Sequence, residues 1–220
     1  MSTRDTRILA DFTALCMYPE CPICALVRRA ELRTVQVYCA EGAGDELRRA
    51  DIRASRGLCV HHGAILRDAR DALAAAVTAL DVMTNLLRDL SAVQQAARWP
   101  KPRMKSPAPC PVCADMTRYN RAVCAGIAAW ADDVAFQNVL ATSHGICAPH
   151  FRHIANRSVL PDGFIEAQRT AWERVHAEVA EYIRKRDDRF KHEPDANEAD
   201  AWRRAWFVIT GSSASAADVP

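Results

Sequence analysis

The chain has 220 residues, of which 50% are hydrophobic and 25% are charged, and its net charge is +2. This length allows one large domain or two small ones. Acidic and basic residues are interspersed, which argues against a nucleic-acid-binding protein. Residues 1–16 lack a signal-peptide core, and no apolar run is long enough to cross a bilayer. We therefore expect a cytoplasmic protein that does not contact a membrane.

Helical periodicity recurs along the chain, and no segment shows the alternation typical of a β-strand. Helices are expected at residues 5–16, 25–38, 45–56, 62–97, 115–131, 134–142, 162–190 and 198–209. Asp45 and Asp162 are expected to cap the helices that they precede. Gly57 and Gly145 are expected to end helices in a left-handed conformation. The predicted fold class is all-α.

The longest expected helix, residues 62–97, carries a heptad repeat. Such a seam is typical of a coiled coil. The seam at residues 66–90 indicates either a homodimer or packing on other helices of the same chain. Its a and d positions are Leu66, Leu73, Leu80 and Leu87, and Ala69, Ala76, Met83 and Leu90.

Proline and charge divide the chain into halves. Residues 98–109 contain four prolines and four basic residues. Residues 99–109 are predicted to be a stiff, solvated linker. The linker separates a first helical half, residues 1–98, from a second, residues 110–210. Residues 211–220 are small and are expected to form a disordered tail.

A cysteine and histidine motif occurs once in each half. Each copy reads C-P-[IV]-C, followed by G-[LI]-C-x-x-H, and the spacers between the second and third cysteines are 34 and 33 residues. The copies are offset by 89 residues at the CxxC and 88 at the CxxH, which predicts an internal duplication. The eight candidate metal ligands are Cys21, Cys24, Cys59, His62, Cys110, Cys113, Cys147 and His150.

Three thiolates and one imidazole form a common ligand set for tetrahedral zinc in closed, structural sites. The sequence therefore predicts two zinc ions in two Cys3His sites. An iron–sulfur cluster is the alternative cofactor. A thioredoxin-type dithiol is a further alternative, but it requires strands that the pattern lacks and leaves the CxxH pairs unexplained.

The surroundings of the motif indicate where its ligands lie. Ala25 and Ala114 follow the CxxC pairs, where a zinc knuckle would have glycine, so these pairs are expected at helix N-termini. The CxxH pairs follow Gly57 and Gly145 and should also open helices, where free N–H groups stabilise thiolates. Pairing of CxxC with CxxH within each half is the simpler arrangement, and crossed pairing between the halves is the alternative.

A second candidate site lies near the C-terminus, where basic residues and large aromatic residues alternate. These are residue types that dominate binding hot spots, and guanidinium groups suit anionic ligands. The pattern predicts a surface for a protein partner or an anionic ligand, with salt bridges at a helix end as the alternative. Its residues are Arg186, Arg189, Trp202 and Arg203.

The twin motif, together with Y-I-R-K-R-D-D-R-F at residues 182–190 and A-W-R-R-A at 201–205, resembles the bacterial domain-of-unknown-function family DUF6062. The resemblance implies a cysteine-rich bacterial cytoplasmic protein and supplies no activity. The chain has no Ser/His/Asp set, phosphate loop or HExxH motif, so we expect a non-enzymatic zinc protein that binds a partner or ligand. The alternative function is a redox-active or iron–sulfur enzyme that uses the same cysteines and histidines.

Overall fold

The computed structural model describes residues 3–40, 45–68, 71–95 and 107–212. Within these ranges the chain is helical and has no strand, which confirms the predicted all-α class. No helix in the described ranges is long and apolar enough to cross a membrane. The helices are α1 (Thr3–Leu15), α2 (Pro22–Ala40), α3 (Glu46–Ala54), α4 (Val60–Arg67), α5 (Ala72–Gln95), α6 (Pro111–Ala129), α7 (Val134–Thr142), α8 (Ala148–Ala155), α9 (Asp162–Lys185) and α10 (Ala201–Thr210).

The chain divides into two compact units that do not follow its sequential halves. Unit 1 comprises Met1–Arg28 and Tyr119–Pro220, and unit 2 comprises Arg29–Arg118. Each unit takes residues from both sides of the predicted linker, because α2 and α6 each contribute residues to both units. Most of that linker, residues 99–106, lies outside the described residues.

The core of unit 1 is built around aromatic rings from three helices. The ring centroids of Phe12 in α1 and Phe136 in α7 are 5.2 Å apart, and those of Phe136 and Phe164 in α9 are 6.1 Å apart. All three rings are buried, and so are the thiols of Cys16 and Cys124. Burial raises the pKa of both thiols to about 12, so both are neutral core groups.

In unit 2, α3 packs along one face of α5. Ile52 of α3 is buried, and arginine–aspartate pairs lie on either side of it along the chain. Arg49 donates two hydrogen bonds to Asp81, of 2.7 and 2.8 Å, and Arg56 donates two to Asp89, of 2.5 and 3.0 Å. These two-bond arginine–carboxylate pairs fix which face of α5 is turned towards α3.

The expected helix over residues 62–97 is two helices, so the single-helix prediction is wrong. The first, α4, ends at Arg67, and the second, α5, begins at Ala72. The Asp68 N–H donates a hydrogen bond of 3.2 Å to Ala64 O in the last turn of α4. Asp71 Oδ1 accepts from Ala74 N at 3.0 Å. Aspartate side chains that satisfy backbone N–H groups favour a new helix start over continuation.

The helix expected over residues 162–190 ends early, at Lys185. The side chain of Lys185 donates to Glu198 at 2.6 Å, which requires the chain to turn back after the helix instead of continuing to Phe190. At the other end, Pro161 holds the cap position and Asp162 is the first helical residue. A carboxylate in the first turn favours the helix through its dipole instead of through a side-chain cap.

Two of the predicted end signals are confirmed. Asp45 caps α3, because its side chain accepts from Leu47 N at 2.9 Å. Gly57 has a φ of 106°, and its N–H donates a hydrogen bond of 2.9 Å to Ile52 O. The left-handed conformation begins one residue earlier than predicted, since Arg56 has a φ of 57°.

Gly145 allows the turn between α7 and α8. Its φ is +79°, and a Cβ atom there would lie 2.5 Å from Gln168 Nε2. The buried Gln168 side chain holds the next residue by two bonds, from Ile146 N to Oε1 at 2.9 Å and from Nε2 to Ile146 O at 3.2 Å. A side chain at position 145 would therefore displace this clamp.

We expect Gly145→Ala to destabilise the protein by about 1–3 kcal/mol, through backbone strain and loss of the clamp. Gly126→Ala is the matched control in the same unit. Gly126 lies inside α6 with its nearest outside atom, Ile8 Cγ2, 3.9 Å from a Cβ, so alanine should stabilise by about 0.5–1 kcal/mol. Thermal denaturation that shifts both variants in the same direction would contradict this account.

Candidate metal centres

Four metal-ligating side chains converge in unit 1. Cluster 1 consists of Cys21, Cys24, Cys147 and His150, all buried, with their donor atoms within 4.8 Å of one another. His150 Nδ1 lies 3.1 Å from Cys147 Sγ and 3.4 Å from Cys24 Sγ. Cys21 Sγ lies 3.8 Å from the same nitrogen, and the sulfurs of Cys24 and Cys147 are 3.8 Å apart.

A second group of the same composition lies in unit 2. Cluster 2 consists of Cys59, His62, Cys110 and Cys113, again within 4.8 Å of one another. His62 Nδ1 lies 3.1, 3.6 and 3.4 Å from the sulfurs of the three cysteines in that order, and the sulfurs of Cys59 and Cys113 are 3.7 Å apart. His62 is buried, whereas the three cysteines are half-buried, so cluster 2 is the more accessible of the two.

The donor separations fit a single tetrahedral ion. Zn–S bonds of about 2.3 Å and Zn–N bonds of about 2.0–2.1 Å place tetrahedral ligands about 3.8 Å apart for two sulfurs and about 3.5 Å for sulfur and nitrogen. The sulfurs of Cys24 and Cys147 and those of Cys59 and Cys113 are 3.8 and 3.7 Å apart, and the sulfur–nitrogen separations are 3.1–3.8 Å. All four donor atoms of each cluster lie within 4.8 Å of one another. The described cysteines are all free.

The pairing of the motif halves is crossed. Cluster 1 joins the CxxC of the first half with the CxxH of the second, and cluster 2 joins the remaining pairs. Pairing within each half, the simpler expectation, is therefore wrong. The physical reason is the division of the chain, because the start of α2 belongs with α8 in unit 1 while the start of α6 belongs with α4 in unit 2. The internal duplication stays a prediction from the motif.

Each ligand pair lies at the beginning of a helix, as the sequence predicted. Cys21 directly precedes Pro22, the first residue of α2. Cys59 and Cys147 are the N-cap residues of α4 and α8, and neither side chain makes a capping hydrogen bond. Their sulfurs are therefore free for other contacts, and the N-terminal N–H groups favour a thiolate.

Electrostatics in both clusters favour a bound cation. Burial lowers the pKa of His62, but contacts with Cys110 and the carboxylate of Glu31 outweigh it and raise that pKa to about 10. Burial raises the pKa of the Cys21 thiol, whereas hydrogen bonds with the neighbouring thiols lower that of Cys24. Three thiolates cannot share so small a volume without a positive charge, and a divalent cation would supply it.

Glu31 in α2 holds the ring of His62 from behind. Its buried carboxylate oxygen Oε1 lies 2.8 Å from His62 Nε2 and 2.8 Å from His61 Nε2. A carboxylate behind a ligating imidazole fixes the tautomer with Nδ1 free for the metal and increases the basicity of the ring. His62, and not His61, lies with the three cysteines of cluster 2.

Cluster 1 is closed by the residue that follows α10. A Cβ atom at Gly211, whose φ is +78°, would lie 3.1 Å from Cys24 Sγ and 3.4 Å from Cys147 Sγ. The backbone therefore passes directly over two of the sulfurs. The sequence assigned Gly211 and Ser212 to a disordered tail, but both are described, and Ser212 is buried; residues 213–220 lie outside the described residues.

Sequence reasoning missed Glu31, Gln168 and Gly211. Each acts on residues more than 20 positions away, and Gly211 acts on residues more than 60 positions away. No local motif marks such residues, because only the tertiary fold brings them to the ligands. An isolated glycine at the end of a helix predicts a helix stop and carries no information about what it covers.

The structure gives the predicted C-terminal residues partners of their own. Arg186 pairs with Asp195 at 2.8 Å, and Arg189 pairs with Asp187 at 2.8 Å. The guanidinium of Arg203 lies 4.9 Å from the ring centroid of Trp202. Ligand binding by Arg186, Arg189, Trp202 and Arg203 stays a prediction.

Comparison with known proteins identifies a family without a known role. The model of the family of unknown function DUF6062 matches residues 12–216. No curated protein and no solved structure matches the chain.

We expect Glu31→Gln to weaken zinc binding at cluster 2 by about 10–100-fold, because the amide cannot accept from His62 as a charged carboxylate does. Competition with a chromophoric chelator should then release one of two zinc ions at a lower chelator concentration than in the wild type. His61→Gln is the matched control, since His61 contacts the same oxygen but is not a ligand. An unchanged zinc affinity in Glu31→Gln would exclude the proposed role of Glu31.

Proposed function

The chain belongs to the DUF6062 family, and we propose that it is a non-enzymatic zinc protein whose two Cys3His ions hold the fold together for binding to a partner. The observation that carries the proposal is the donor geometry. Each cluster brings three sulfurs and one imidazole nitrogen within 4.8 Å of one another, which is the arrangement around one tetrahedral ion.

The spacing of the donors favours zinc over an iron–sulfur cluster. An iron–sulfur cluster distributes its protein ligands over several iron atoms, with inorganic sulfide between them. Ligands bound to different iron atoms would therefore lie farther apart than ligands of a single ion. In cluster 1 and in cluster 2, all four donor atoms lie within 4.8 Å of one another, which leaves no room for ligands on two iron atoms.

A structural role for the zinc follows from the number and the origin of the ligands. Four protein donors complete a tetrahedral ion and leave no position for water or substrate. The contacts within cluster 1 join residues up to 129 positions apart, between Cys21 and His150. An ion that closes such long loops contributes its binding free energy to folding.

Two further features support a cytoplasmic partner-binding protein. The described cysteines are all free thiols, and thiol ligands persist in the reducing cytoplasm. On α10, Trp202 and Trp206 are 44% and 58% exposed, and exposed tryptophan next to arginine is typical of binding surfaces.

The purified protein should contain two zinc ions per chain, without acid-labile sulfide. After dialysis against a chelator that the wild type withstands, Cys147→Ser should retain one zinc and melt at a lower temperature. Cys16→Ser is the control, since Cys16 is a buried cysteine outside both clusters, and it should retain both ions.

Elemental analysis and thermal denaturation distinguish the alternatives. If the purified protein contains iron and acid-labile sulfide instead of zinc, the clusters bind iron–sulfur centres, and a redox function becomes the better hypothesis. A Cys147→Ser variant that loses one ion but melts like the wild type would contradict the structural role.

A further inference from the structure

One face of α5 packs against other residues of unit 2. Ala74 and Thr78 are 4% and 8% exposed on this face. Asp81 accepts hydrogen bonds there from Arg49 of α3, and Asp89 accepts them from Arg56, which follows α3. The helix is therefore held in one rotational setting and cannot turn its other face inwards.

The opposite face of α5 is apolar and exposed. Leu73, Leu80 and Leu87 are 76%, 68% and 59% exposed, and Met83 and Leu90 are 53% and 55% exposed. Leu86 and Val93 extend the same stripe. The sequence left open whether the seam packs on other helices of the same chain, and the described residues do not show such packing. The seam begins at Leu73, because Leu66 lies on α4.

The exposed residues occupy the positions that a helix pair requires. Leu73, Leu80 and Leu87 are the a positions of three heptads, and Met83 and Leu90 are d positions. The flanking e positions are Val77, Thr84 and Ser91, and the flanking g positions are Ala79, Leu86 and Val93. The stripe therefore has no charged residue, and two identical stripes can meet without repulsion or unpaired charge.

We propose that a second copy of this chain packs against the stripe, so that α5 and its counterpart form the core of a homodimer. The seven large side chains of the stripe are each 39–76% exposed, and the buried core of an interface between identical chains is rich in apolar side chains and poor in charge. Soluble monomers rarely expose a large contiguous apolar patch. The heptad spacing selects a helix as the partner, and twofold symmetry supplies an identical helix.

The charge pattern argues against a lipid surface as the occupant. Helices that lie on membranes combine an apolar face with several lysines or arginines beside it. Arg88 is the one basic residue of α5, and it lies 3.4 Å from Asn85 Oδ1. A second copy requires no such charge. This inference specifies the partner in the proposed function, and the zinc content tests the rest of that proposal separately.

The test is the mass of the full-length zinc protein in solution, by sedimentation velocity over a range of concentrations. The wild type should sediment as a dimer. Leu80→Glu with Leu87→Glu should sediment as a monomer with unchanged helicity and two zinc ions, because both side chains are exposed within the unit. Leu47→Glu is the control, since Leu47 is 80% exposed on α3, outside the stripe, and it should remain a dimer.

A milder variant covers the case in which the glutamates unfold the protein. Leu80→Ala with Leu87→Ala retains helix propensity and should weaken dimerisation by at least about 10-fold. A monomeric wild type would overturn the proposal. A dimer whose dissociation constant is the same in the alanine double variant and in the wild type would also overturn it, because the interface would then lie elsewhere.

Discussion

The structure depends on bringing three thiols and one imidazole to a single point, twice. Thiolates at 3.7–3.8 Å repel one another, and neutral thiols provide only weak hydrogen bonds. A bound cation turns this repulsion into the strongest attraction in its neighbourhood. The two clusters are therefore positions in the described part of the chain that could each hold a metal ion.

Several local features serve this convergence. The helix N-termini present Cys59 and Cys147 without occupying their sulfurs in caps. Glu31 orients the ring of His62, and Gln168 fixes the backbone immediately before Cys147. The clusters also differ, because cluster 1 is covered by the backbone at Gly211 whereas the cysteines of cluster 2 are half-buried. Cluster 2 is consequently the site at which exchange of metal with solution should be faster.

The sequence was informative where a feature depends on neighbouring residues. The all-α class, the ligand positions at helix N-termini and the cap at Asp45 all follow from local periodicity and capping chemistry. Pairing of the motif halves depends on which helices share a unit, and no spacing within the motif contains that information. The break between α4 and α5 depends on caps at Asp68 and Asp71, which compete with a heptad pattern that continues through them.

Crossed pairing is the central claim, and the zinc content of two double variants tests it most directly. Cys21→Ser with Cys147→Ser removes two ligands from cluster 1, so one zinc should remain after dialysis against a chelator that the wild type withstands. Cys21→Ser with Cys59→Ser removes one ligand from each cluster, and both ions should be lost. The reverse result, no zinc in the first variant and one zinc in the second, would show that each half of the chain binds its own ion and would contradict the account.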